Sequence, residues 1–328
     1  MVKAKYWEKL DGKKVKCTLC PHSCVIPEGG KGICNIRENI DGELIAAGYG
    51  RTTSLAMDPI EKKPLFHFKP GSLILSVAPN GCNLKCRWCQ NWQISQEVVP
   101  TRFIDPKLLV DIAIRENSVG IAFTYTEPLI WFEYIIDVAK IGKPKGLSMV
   151  AVTNGYINPE PLNELLDYID AMNIDLKAMD DEVYRKLIGG RLEPVLNTVR
   201  TSAKRILIEV TNLLIPGVND SDDQIKRLVD FIADVDPKIP VHFSRYFPAW
   251  KFNAPPTPVK TLLRAREIAS EKLEYVYLGN VYIPDAEDTF CPYCGNKLVS
   301  RSGFYAKKVG ITEDGKCSKC GKDVDIVL

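Results

Sequence analysis

The cysteines of this chain fall into three spaced groups: Cys17, Cys20, Cys24 and Cys34; Cys82, Cys86 and Cys89; and Cys291, Cys294, Cys317 and Cys320. The middle group, Cys82-Asn-Leu-Lys-Cys86-Arg-Trp-Cys89, is one thiolate short of a closed site. Three thiolates on a short loop can hold three irons of a cubane cluster, which normally takes four cysteines, so the fourth iron stays open. An open position is what separates a catalytic metal site from a structural one. Trp88 would lay a ring against the cluster and keep water off it. A zinc loop with this spacing needs a fourth ligand, and the segment 90–290 contains no cysteine to supply it.

The outer groups carry four thiols each. Cys17-x2-Cys20-x3-Cys24-x9-Cys34 reads as a closed site that zinc or a second iron-sulfur cluster would satisfy, with zinc the first expectation. His22 could replace one of the four but is not needed. At the other end, Cys291-Pro-Tyr-Cys294-Gly and Cys317-Ser-Lys-Cys320-Gly are paired knuckles 22 residues apart, the spacing of a zinc ribbon.

These loops need a scaffold, and the cysteine-free middle of the chain supplies one. Apolar runs of strand length alternate there with amphipathic stretches. Strands are expected over 73–77, 120–125, 147–153, 171–176, 205–214, 241–246 and 275–278. Helices are expected over 106–117, 129–140, 159–168, 221–233 and 259–272, several opened by Asp, Asn or Ser and an early Pro. Such alternation implies an α/β fold with a parallel sheet, a barrel or partial barrel whose site lies at the C-terminal strand ends. Three units follow: an N-terminal four-cysteine segment over 1–65, the barrel over 66–283, and a zinc-ribbon-like module over 284–328. Both flanks are too short for a large core, so bound metal would supply folding energy.

Eleven cysteines in 328 residues are too few for a disulfide scaffold, and a chain this long buries its apolar surface without staples. A net charge of +2 gives no global pull toward nucleic acid or anionic lipid. Lys or Glu interrupts the first sixteen residues, so no signal-peptide core forms there, and no apolar run approaches the roughly 18 residues of a membrane span. The expectation is a cytoplasmic protein that makes no use of a membrane, in a compartment where spaced cysteines bind metal rather than pair.

The cluster loop, lying directly after the first expected strand, resembles that of the radical S-adenosylmethionine (SAM) superfamily, whose CxxxCx(aromatic)C loop sits at the mouth of a partial (β/α)6 barrel. The resemblance implies a [4Fe-4S] cluster on Cys82, Cys86 and Cys89. It also implies SAM chelated at the open iron, and reductive cleavage to a 5′-deoxyadenosyl radical that abstracts hydrogen. Further motifs resemble the activating enzymes of glycyl-radical proteins: Tyr125-Thr126-Glu127-Pro128, Thr153-Asn154-Gly155-Tyr156, Asp175-Leu176-Lys177, Leu214-Ile215-Pro216-Gly217 and the strand carrying His242. By that likeness Thr126, Glu127, Thr153, Asn154, Asp175, Lys177, Ile215, His242 and Trp88 surround SAM. Lys177 would meet its carboxylate, while Glu127 and Asp175 would meet its amine. Val152 stands where those enzymes have an acid and Thr211 where they have an arginine, which leaves carboxylate recognition resting more on Lys177.

Over the whole chain, from the CxLCPHxC opening to HFSRYFP, the sequence is similar to AmmeMemoRadiSam system radical SAM enzymes. That likeness implies Memo-like and AMMECR-like partners, a protein substrate and an electron donor such as ferredoxin or flavodoxin. Radical modification of RNA or of a small metabolite is the alternative within enzymes. A non-catalytic metal-binding or electron-transfer protein is the alternative outside them.

Overall fold

A computed structural model describes residues 1–328. Seven parallel strands form its centre: β1 (Leu73–Pro79), β2 (Gly120–Phe123), β3 (Ser148–Thr153), β4 (Ala171–Asp175), β5 (Leu207–Leu214), β6 (Val241–Arg245) and β7 (Val276–Gly279). They lie side by side in chain order. Nearly every residue of β1 to β4 is buried, as strands covered on both faces require. Six helices make the crossovers: α1 (Pro106–Arg115), α2 (Phe132–Gly142), α3 (Pro159–Leu165), α4 (Leu192–Ser202), α5 (Asp222–Val235) and α6 (Val259–Ser270). In α1, Leu109, Val110 and Ala113 form the inward stripe, and the Asp105 carboxylate caps the helix by accepting from Lys107 N ahead of Pro106. Ser221 caps α5 in the same way through Gln224 N.

The sheet does not close. Beyond β1 comes an antiparallel strand, Arg51–Pro59, in register from Thr52 opposite Pro79 to Pro59 opposite Leu73, and then the short strand Arg102–Phe103. This is the expected partial barrel with an antiparallel edge. The sequence pattern did not signal Arg51–Pro59, because only two of its nine side chains are buried and the rest give no clean alternation. Helix α4 was also unforeseen: polar Thr198 and Ser202 share its buried face with Val195 and Val199, which blurs the apolar stripe.

The flanks dock at opposite ends of the barrel. At the C-terminal strand ends sit a three-stranded antiparallel sheet (Trp7–Lys9, Val15–Cys17, Val25–Ile26) and a hairpin (Glu38–Ile40, Glu43–Ile45). Asn158 N donates to Leu19 O, and the buried Arg37 guanidinium bonds the Glu133 carboxylate of α2 at 2.6 Å. The C-terminal strands Thr289–Phe290, Lys297–Ser302 and Tyr305–Lys308 cover the other end. There Arg301 donates to Phe66 O, and Val327 exchanges backbone bonds with His67 and Lys69.

Candidate active site

The loop that follows β1 is tied at both ends. Asn80 Nδ2 donates to Ile94 O and Glu97 O, and Gly81 N donates to Ile94 O. Gly81 has φ +117°, and a Cβ there would stand 2.2 Å from Cys34 O, so only glycine fits. Within the loop Lys85 N and Arg87 N donate to Ile188 O and Leu187 O, laying the cysteines along the single π-turn Tyr184–Ile188. Ser95 Oγ lies 3.3 Å from Cys89 Sγ, and Asn154 Nδ2 lies 3.7 Å from Cys82 Sγ. Burial pushes the Cys86 thiol up to about 11 and Cys82 well above its ordinary value. A bound metal therefore has to displace their protons as it binds.

Cys82, Cys86 and Cys89 open onto a cavity of about 260 Å³ at the C-terminal ends of the strands. Trp88, buried and edge-on to Phe252 at 5.7 Å, walls one side. Thr126, Glu127, Asn154, Asp175 and Lys177 reach the same cavity from β2, β3 and β4. Lys177 Nζ donates to Asp175 Oδ2 at 3.0 Å. Burial opposes the charge on Lys177, but the Asp175 carboxylate together with Cys86 and Tyr184 outweighs it and raises the ammonium above its ordinary value. Glu127 is the hub of the wall. Its carboxylate accepts from Leu129 N at 2.9 Å, Asn154 N at 2.8 Å and Thr153 Oγ1 at 2.7 Å, while burial lifts it to about 7.

Three expected contacts lie outside the cavity wall. Thr153 spends its hydroxyl on Glu127. Ile215 is fully buried, its backbone N–H donating to Asn219 Oδ1. His242 Nε2 sits 2.6 Å from Glu209 Oε2 in the barrel interior. The reason for His242 is the two-residue alternation of a strand: it shares the inner face of β6 with Ser244, which lies one layer nearer the mouth and lines the cavity. Counting that period toward the C-terminal strand end would have picked out Ser244. Leu213 on β5 follows the same rule, and Gln96 and Asn280 join the wall with no local sequence signal.

The outer cysteines behave differently from one another. Cys291, Cys294, Cys317 and Cys320 bring all four sulfurs within 4.8 Å of one another, with closest pairs at 3.7 and 3.6 Å. That is the edge length of a tetrahedron with metal–sulfur bonds of about 2.3 Å. Cys17, Cys20 and Cys34 are buried and Cys24 half-buried, but no three of their sulfurs converge in this way. His22 is not aimed at them: its Nε2 lies 2.7 Å from Asn83 O.

The chemistry of these donors fits the expected groups: three thiols, an adjoining acid–base pair, and one buried acceptor at the cavity, Gln96 Oε1, that has no partner within the protein. The model of the radical SAM superfamily matches residues 76–232, from within β1 through the cluster loop to α5. The chain belongs to the radical SAM superfamily. This radical SAM enzyme is 46% identical, over the full length of both chains, to the Methanocaldococcus jannaschii protein named "Uncharacterized protein MJ0808". It is 26% identical over 163 residues to pyruvate formate-lyase 1-activating enzyme of Escherichia coli, a match covering 47% of this chain and 66% of that enzyme. It shares its fold with Streptococcus suis SuiB, a structure bound to S-adenosylmethionine, at a TM-score of 0.50 and 16% identity over 66% of this chain and 53% of that one. Membership in the superfamily implies SAM and a [4Fe-4S] cluster. No helix is long and apolar enough to cross a membrane.

Proposed function

We propose that this radical SAM enzyme holds a [4Fe-4S] cluster on Cys82, Cys86 and Cys89, binds SAM in the adjoining cavity, and abstracts hydrogen from a protein backbone. The supporting observation is that the three thiols share one cavity with the Asp175–Lys177 pair. When bound, the cluster supplies the electron that cleaves SAM to methionine and a 5′-deoxyadenosyl radical. The chain's own residues position the cofactor and exclude side reactions. Lys177 offers charge-assisted hydrogen bonds to a carboxylate, and Asp175 and Glu127 accept from an ammonium group. Gln96 Oε1 stands ready as a further acceptor. Trp88, packed edge-on against Phe252, would shield one side of the bound cluster from bulk water.

The activating-enzyme relatives support a protein substrate. A ferredoxin- or flavodoxin-type donor and Memo-like or AMMECR-like partners remain part of this reading through family likeness. Zinc is assigned to the tetrahedral C-terminal quartet. Anaerobic reconstitution followed by dithionite and SAM is expected to yield 5′-deoxyadenosine, and its absence from protein with an intact cluster would refute the catalytic reading. Deuterium from a backbone-labelled substrate protein should appear in that product. Transfer from labelled RNA or a metabolite instead would overturn the protein-substrate part.

A further inference from the structure

The C-terminal quartet alone has its four sulfurs at single-ion spacing. A single tetrahedral ion draws its four thiolates to edges of about 3.8 Å, which the C-terminal quartet satisfies. A cubane stands between its thiolates and keeps them further apart. Three sulfurs come to single-ion distance in the ribbon alone, so the N-terminal quartet, like the cluster loop, lacks the geometry of a collapsed single-ion site. The quartet is also held in a fixed local frame. Cys17 lies at the end of a strand and Cys24 one residue before the strand paired with it, with Cys17 N donating to Cys24 O at 2.9 Å. Gly32 brings the next loop, with Cys34, to within 3.9 Å of Cys24 Sγ, measured from the position a Cβ would take. Arg37, almost completely buried, stands beside Cys17 and Cys34 with its Nε unpartnered.

Its place in the fold is against the back of the cluster loop. Gly81 packs on the Cys34 carbonyl, and His22 bonds Asn83 O. From Asn83 the contact continues: Asn154 Nδ2 donates to Asn83 Oδ1 at 3.0 Å and also reaches Cys82 Sγ. We propose that Cys17, Cys20, Cys24 and Cys34 hold a second iron-sulfur cluster, placed to pass an electron through Asn83 and Asn154 to the group on Cys82, Cys86 and Cys89. In this step one electron leaves the reduced second cluster and enters the oxidised first one. No bond or proton moves, and a low-potential one-electron donor of the ferredoxin class, or dithionite in vitro, restores the second cluster. The relay rests on the proposed function, but the cluster itself does not.

The full chain, anaerobically reconstituted with iron and sulfide, is expected to hold about eight irons and one zinc. The triple variant Cys82→Ala, Cys86→Ala, Cys89→Ala should keep half that iron and a reduced-cluster paramagnetic resonance signal indifferent to SAM. About four irons and two zincs in the wild type would overturn the assignment. That count needs no variant to fold and no SAM to be cleaved, so failure here leaves the proposed function standing. With both clusters reduced, the wild-type spectrum should be broadened by magnetic coupling; a plain sum of two isolated signals would overturn the relay.

Discussion

In the proposed function, Lys177 is the side chain on which recognition of a SAM carboxylate most depends. Its ammonium donates to Asp175 Oδ2 and, protonated, cannot itself be a cluster ligand. Lys177→Met should therefore raise the Kd for SAM by roughly tenfold or more, as loss of a hydrogen bond to a charged group does, with iron content unchanged. Titrating SAM against the reduced protein's resonance signal checks this. Cys86→Ala should abolish 5′-deoxyadenosine formation, read by chromatography of the products. Both residues were legible in the sequence, since motif spacing and placement after a strand are local properties. Ser244 and His242 were not told apart, because which inward residue reaches the mouth depends on how far the strand extends past its neighbours.

At the scale of elements, the loop after β1 depends on the contact of Gly81 with the Cys34 carbonyl. Gly81→Ala would add a Cβ 2.2 Å from that oxygen at a φ that alanine disfavours. It should cost roughly 1–3 kcal/mol in backbone strain alone and lower iron retention, measured by thermal unfolding and metal analysis. A cap is a smaller lever: Asp105→Ala should cost about 1 kcal/mol, seen in the same melts, with iron content untouched. The main elements could be read from apolar runs, caps and early prolines. Strand Arg51–Pro59 could not, since its existence rests on pairing with β1 and not on its own pattern.

At the scale of the whole molecule, a buried polar network joins the barrel base to the C-terminal module. His67 Nε2 lies 2.7 Å from Tyr277 Oη, and the His67 backbone N–H donates to Glu209, which also meets His242. Burial drives the His67 imidazole down to about 4. Burial would raise Glu209, but its contacts with His242 and His67 together outweigh that and hold the carboxyl below its usual range. Both groups bind protons more readily when unfolded. The stability linked to Glu209 is lost only below the unfolded carboxyl value of about 4.3, and that linked to His67 is present above the unfolded histidine value of about 6.5 and is lost as pH falls toward 4. Melting temperature should drop across that window, and His67→Gln should flatten the drop; an unchanged slope would count against this linkage.

What the sequence by itself determined was local: three cysteines one ligand short of closure, a strand before them, acid and base at strand ends, and knuckles of zinc-ribbon spacing. Those features follow from chain periodicity and ligand number, which need no partner to be read. Only the tertiary structure decided that His242 lies a layer too deep for the cavity. Only it decided that the N-terminal thiols stand apart at a spacing unlike the ribbon's, directly behind the cluster loop. Distances between segments far apart in the chain depend on sheet packing and close backbone approach, and no spacing along the sequence encodes them.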